Sequence, residues 1–107
     1  MTDQTTHQML ARYGARIEYP DHAPDGIVSL VQSDVSNDDL ECLAGCSDFT
    51  ALDLKFTTVS DAGMQHIGRI SQLETLELGD TLVSDDGLRQ LGSLKKLETL
   101  GVGCAQG

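Results

Sequence analysis

Two consecutive segments of this chain are near-copies of one another, and that repetition constrains the fold more than any other feature. When Phe49 to Gln72 is laid over Leu73 to Lys96, Leu52 falls on Leu76, Leu54 on Leu78, Thr57 on Thr81 and Val59 on Val83. Ser60 then meets Ser84, Asp61 meets Asp85, Gly63 meets Gly87 and Gly68 meets Gly92. Apolar positions that differ in identity agree in kind: Phe49 with Leu73, Met64 with Leu88, Ile67 with Leu91, Ile70 with Leu94. The period is about 24 residues, a length that suits one strand and one short helix per unit. The register continues forwards through Leu97, Leu100 and Val102. It continues backwards through Val28, Leu30, Val35, Ser36, Leu40, Leu43 and Cys46. In that first copy Asp25 replaces the leading leucine and Asp39 replaces the glycine, the degeneracy usual in terminal repeats.

Each unit has a physical reading. Leu73-Glu-Thr-Leu76-Glu-Leu78 predicts a short strand with alternate side chains turned inwards. Thr81 stands where the chain bends, and its hydroxyl can bond neighbouring backbone groups. Val83 returns to the core. Ser84 reads as a helix N-cap, and Asp85 and Asp86 favour a helix N-terminus. Leu88, Leu91 and Leu94 space like the inner stripe of a short helix. One unit alone cannot cover its apolar edge. Stacking covers it, at about 1.5–3 kcal/mol for each fully buried leucine-sized side chain.

The run Leu76-Glu-Leu78-Gly-Asp-Thr81-Leu-Val83-Ser-Asp85-Asp-Gly87-Leu88-Arg-Gln-Leu91 resembles the leucine-rich repeats abundant in bacterial proteins. Leu43-Ala-Gly-Cys46-Ser-Asp-Phe49 is similar to a segment of the cysteine-containing repeats of F-box adaptors, one residue short. The resemblance covers about Asp25 to Val102. It implies an α/β leucine-rich repeat solenoid, with a short parallel sheet on the concave face and short helices on the convex face. It names no partner, because such folds serve many.

The ends read differently from the middle. Thr6 to Tyr13 predicts an amphipathic helix with Met9, Leu10 and Tyr13 on one side and Gly14 as its stop. Ala15 to Tyr19 reads as a strand, and Pro20 to Gly26 as a loop, since two prolines and a glycine interrupt any regular element. Residues 1–24 are expected to cap the first repeat. Repeats are expected over 25–48, 49–72 and 73–96, with a partial unit over 97–107. After the strand at Leu100 no capping helix is predicted. That end is expected to be covered by another chain, as in a homo-oligomer, or to belong to a longer repeat array.

Charge narrows the partners. Seven Lys and Arg stand against 17 Asp and Glu, a formal net charge of −10. Nucleic acid and anionic membranes, both polyanions, are thereby disfavoured. The first residues lack the basic start and apolar run of a secretion signal. Three cysteines, Cys42, Cys46 and Cys104, are an odd number, which reads as reduced thiols in a cytoplasmic setting. Cys42 and Cys46 are spaced like one helix face, but two thiolates are half a zinc site. By repeat phase Cys46 belongs with buried Ile70 and Leu94. Cys42 belongs with His66 and Gln90, which are expected to be exposed.

No constellation predicts catalysis or a cofactor. Gly101-x-Gly103-x-x-x-Gly107 follows a strand, but its spacing is wrong for a phosphate loop and no helix follows. His66 shares its spacing with no nucleophile or orienting carboxylate. Ser60-Asp61 and Ser84-Asp85 recur at one repeat phase, which helix caps must do and catalytic groups need not, so both pairs are expected to cap their helices.

The outward strand positions remain. Ser29, Asp53, Glu77 and Gly101 form one column. Ile27, Ala51, Thr75 and Thr99 precede it, and Val31, Lys55, Gly79 and Gly103 follow it. Gln32, Phe56, Asp80 and Cys104 start the next turns. The expected function is non-catalytic binding of another protein, with a basic segment, at Ser29, Asp53, Lys55, Phe56, Thr75, Glu77 and Asp80. Phe56 serves either as an aromatic anchor or as a lid folded back over its turn. The alternative function is structural self-assembly through the uncapped end.

Overall fold

Strands recur at the spacing of the sequence repeat. In a computed structural model that describes residues 4–19, 26–44 and 49–102, five strands form one sheet in chain order. They are β1 (Ile17–Glu18), β2 (Gly26–Ser29), β3 (Phe49–Asp53), β4 (Thr75–Glu77) and β5 (Thr99–Gly101). β1 runs antiparallel to β2, and β2 to β5 are mutually parallel. Parallel neighbours need a crossover between them, and here short helices supply it. These are α2 (Leu40–Ala44), α3 (Asp61–Ile67) and α4 (Asp85–Arg89), the last continued by a 3-10 turn over Gln90–Ser93. With the first helix, α1 (Gln4–Arg12), they pack in a row, α1 on α2, α2 on α3 and α3 on α4. The fold is therefore α/β.

Alternation along the strands builds the core. Val28, Leu30, Leu52, Leu54, Leu76 and Leu78 are buried, and they join Leu40, Leu43, Met64, Ile67, Leu91 and Leu94 in one apolar cluster. Between them Ser29, Asp53 and Glu77 turn outwards. The strand bonds extend past each strand end: Leu30 N–H to Asp53 C=O at 2.8 Å, Leu54 to Glu77 at 2.9 Å, Leu78 to Gly101 at 2.6 Å. Thr57 and Thr81 then close their turns, each hydroxyl donating to the Leu54 or Leu78 carbonyl at 2.7 Å.

The repeats are pinned to each other beside the helix starts. Asn37 Oδ1 accepts the Ser60 N–H at 3.0 Å while its Nδ2 donates to Ser60 Oγ at 3.0 Å. One repeat later, Asp61 Oδ1 accepts the Ser84 N–H at 2.7 Å, and Ser84 Oγ–H donates to Asp61 Oδ2. The Ser84 hydroxyl, then its N–H, hold the Asp61 carboxyl below the ordinary carboxylate value against desolvation, and the Gly87 N–H adds a smaller lowering. Gly63 and Gly87 complete these joints. A Cβ on Gly63 would meet Asn37 Oδ1 at 2.6 Å and Leu40 Cδ1 at 2.8 Å. On Gly87 it would lie 2.9 Å from Asp61 Cγ and 3.1 Å from the Asp61 Cα.

The joints correct one expectation. Ser60 and Ser84 occupy N-cap positions, yet neither side chain caps its own helix. Their hydroxyls are engaged by the preceding repeat. Ser36 caps instead: its Oγ accepts the Asp39 N–H at 3.2 Å, and Asp39 Oδ2 accepts the Ser36 N–H at 3.2 Å, a reciprocal capping box.

Asp39 also ties down the N-terminal helix. Its carboxylate accepts the Tyr13 hydroxyl and lies 3.6 Å from Arg12 Nη1. Desolvation pushes the Asp39 carboxyl up, but the bonds from Tyr13 and Ser36 and the Arg12 charge outweigh it and leave it low. The same bond, with some desolvation, raises the Tyr13 phenol. Helix α1 ends as its sequence predicts. Gly14 sits at φ 70°, Ala15 N–H bonds Leu10 C=O at 2.8 Å, and Gly14 N–H bonds Ala11 C=O at 3.0 Å.

Other boundaries differ from expectation. The first strand is only Ile17–Glu18. Gly26 belongs to β2, opposite Phe49, where a bulge between Gly26 and Ile27 restores the register. Leu88 is half-buried while Leu91 and Leu94 are buried, because α4 is one short turn and the chain tightens to 3-10 after it. Cys42 and His66 are half-buried rather than exposed, since each lies in a helix with neighbours in the row on both sides. Cys46, Cys104, Asp25 and Gly103 lie outside the described residues.

Candidate functional site

The sheet register brings the outward columns together as the repeat predicts. Ser29 pairs with Asp53, Asp53 with Glu77, and Glu77 with Gly101; Ile27, Ala51, Thr75 and Thr99 align likewise. Neighbouring parallel strands lie about 4.8 Å apart, so each column is a row of adjacent side chains. On this face a shallow concavity of about 300 Å³ is lined by Ile27, Ala51, Leu52, Asp53, Thr75 and Glu77. Its lining combines aliphatic carbons with two carboxylates.

The two carboxylates differ in their surroundings. Asp53 Oδ2 lies 3.6 Å from Lys55 Nζ, and Asp53 Oδ1 accepts the Lys55 N–H at 3.1 Å. The Lys55 stem lies over Gly79, where a Cβ would sit 3.5 Å from Lys55 Cγ, in ordinary contact. Glu77 leans the same way, over Gly101, where a Cβ would come within 2.8 Å of Glu77 Cδ. Among the described residues Glu77 has no ion-pair partner. Asp53 is thus partly neutralised within the chain, and Glu77 is the free negative charge beside the concavity.

At the strand ends three non-glycine residues have a left-handed backbone, Gln32 at φ 60°, Phe56 at φ 61° and Asp80 at φ 57°. They share one repeat phase. The Gln32 N–H bonds Lys55 C=O, and the Phe56 N–H bonds Gly79 C=O, both at 3.0 Å. The Gln32 and Phe56 turns are therefore locked to the next repeat. A left-handed backbone costs an ordinary L-residue about 1–2 kcal/mol, less for Asp and more uncomfortably for a bulky ring. Phe56 is nevertheless 52% exposed.

Of the residues singled out from sequence, Asp53, Thr75 and Glu77 line the concavity. Ser29 adjoins Asp53 in the neighbouring strand but is not part of the lining. Lys55, Phe56 and Asp80 lie past the C-terminal ends of the strands. Ile27 and Ala51 were legible as an outward column, but only the structure shows that they border a concavity; Leu52 also borders it, although its side chain is buried in the core. His66 sits on the helix row, away from this face, and among the described residues its buried Nδ1 has no hydrogen-bond partner. No group of three or more His, Cys, Asp or Glu among the described residues could hold a metal ion. None of their helices is long and apolar enough to cross a membrane. Comparison with protein-family models and with curated proteins finds no match.

Proposed function

We propose that this chain is a leucine-rich repeat module that binds another protein through its open strand face. The carrying observation is the concavity between Ile27, Ala51 and Thr75, bordered by Asp53 and by Glu77, which has no ion-pair partner among the described residues. A parallel strand row offers an extended, shallow surface, which suits a protein segment better than a small molecule. A formal charge of −10 and the acidic border favour a basic segment. In this reading the chain is a non-catalytic, cytoplasmic binding module of a solenoid fold, capped at its start by α1 and β1.

Charge complementarity acts mainly on association rate. Immobilised protein should therefore capture its partner in a salt-sensitive way, because screening over about 8–10 Å weakens the steering. The double substitution Asp53→Lys and Glu77→Lys should slow association by at least tenfold, on the order seen for strongly steered pairs. Capture that ignores both salt and this substitution would place the binding surface elsewhere.

Self-association is the second reading. Leu100 on β5 is 41% exposed, and among the described residues β5 has a neighbour on one side only. Light scattering over a concentration series tests it, a constant monomer mass counting against it.

A further inference from the structure

The turn row carries one residue that its backbone does not explain. Gln32, Phe56 and Asp80 adopt the same left-handed conformation at the same repeat phase. Aspartate suits that conformation, glutamine has no such preference, and a bulky phenylalanine suits it least. Strain of this kind concentrates at sites of function, where the surrounding structure enforces it. Here the enforcement is visible, since the Phe56 N–H is held by Gly79 C=O at 3.0 Å. That bond ties Phe56 to the residue preceding Asp80, and the two share one phase of adjacent repeats and one backbone conformation. Asp80 is exposed and has no ion-pair partner among the described residues. Lys55, the nearest cation in sequence, is drawn to Asp53.

We infer that Phe56 and Asp80 together receive an arginine side chain of the partner. The inference rests on the open strand face being the binding surface, and it names the chemistry recognised at one end of that face. A guanidinium is planar. It can stack on the exposed Phe56 ring while its N–H groups pair with the Asp80 carboxylate. Lysine offers a compact, strongly hydrated charge with neither the plane nor the fork, so arginine is preferred. Gln32, on the other side of Phe56, is uncharged and offers no competing cation. An acidic or purely apolar segment would leave Asp80 repelled or unpaired.

The test uses the whole ¹⁵N-labelled chain and a short blocked peptide alternating glycine and arginine, with the lysine counterpart as control. Amide shifts at Phe56 and Asp80 are expected with the arginine peptide. Phe56→Asn, whose new side chain tolerates the left-handed backbone, should weaken the peptide about two- to fivefold, and so should Asp80→Asn. Phe56→Leu keeps apolar bulk without a π face and should weaken it similarly; thermal midpoints verify that all three variants fold. The lysine peptide should bind more weakly and respond less to Phe56→Asn. If shifts fall only on Ala51 to Asp53 and Thr75 to Glu77, and the variants bind unchanged, the arginine site is overturned while the open-face reading stands. If neither peptide shifts any strand-face or turn residue, both are overturned.

Discussion

The row Asn37–Asp61 and the row Gln32–Phe56–Asp80 recur with the same period but are conserved within the chain by opposite means. In the first row the chemistry repeats. A planar carbonyl or carboxylate accepts the serine N–H of the next repeat and engages its hydroxyl, with a glycine close by to make room. In the second row only the backbone repeats, and the side chain is an amide, then an aromatic ring, then a carboxylate. Where a repeat keeps its side chains, packing demands them. Where it keeps the backbone and varies the side chains, their identity is free to serve recognition. The two rows are therefore expected to fail differently when substituted.

The largest effect should come from the joints. Gly87→Val should destabilise by about 1–3 kcal/mol through overpacking, read from the denaturation midpoint. Gly63→Val should cost less, because its new Cβ meets the ends of the Asn37 and Leu40 side chains, whereas at Gly87 it also approaches the Asp61 backbone. Equal midpoints for wild type and Gly87→Val would break the claim that this row is structural.

The buried turn hydroxyls come next. Thr57 and Thr81 are 4% and 2% exposed, and each satisfies a strand-end carbonyl. Thr57→Val or Thr81→Val should cost about 0.5–1.5 kcal/mol with little change in shape.

A subtler difference separates the two joints. The Asn37 joint is neutral, whereas the Asp61 joint uses a carboxylate whose folded-state pKa is lowered, chiefly by the Ser84 hydroxyl. A lowered carboxylate pKa contributes stability above its unfolded value, near pH 4, and loses it as pH falls through the lower folded value. Asp61→Asn should leave stability near pH 7 almost unchanged and flatten the decline below about pH 4. Asn37→Asp should steepen that decline. Some slope should survive Asp61→Asn, since Asp39 is lowered too, by the Tyr13 and Ser36 bonds that exceed its desolvation. Acid titrations of unfolding for the three proteins check this, and superimposed curves would contradict it.

The smallest stability effect is expected in the turn row. Phe56→Asn loses some ring packing and relieves the backbone, so its midpoint should lie within about 0.5 kcal/mol of wild type. A large loss would make Phe56 a structural residue and erase the contrast between the rows.

Much of this was legible from the repeat alone. Matching Leu52 to Leu76 and Asp53 to Glu77 sets the outward columns, because strand side chains alternate and parallel neighbours align. The role of Ser60 and Ser84 was not. A serine before an acidic first turn looks like a cap, and the partner that captures it lies 23 residues earlier. The capping box at Ser36 and Asp39 was present in the sequence but hidden by reading Asp39 as a failed glycine. The left-handed backbone at Phe56 carried no local signal, since glycine or asparagine would have announced it. Half-burial of Cys42 and His66 escaped the periodicity because each helix has neighbours on two sides.

Recognition is assigned here to the strand face and not to the helix row. Amide shift mapping with the captured partner tests it most directly. Changes are expected at Ala51 to Asp53, Thr75 to Glu77 and the Phe56–Asp80 turns, with α3 and α4 undisturbed. Changes concentrated on α3 and α4, with the strand residues silent, would contradict it.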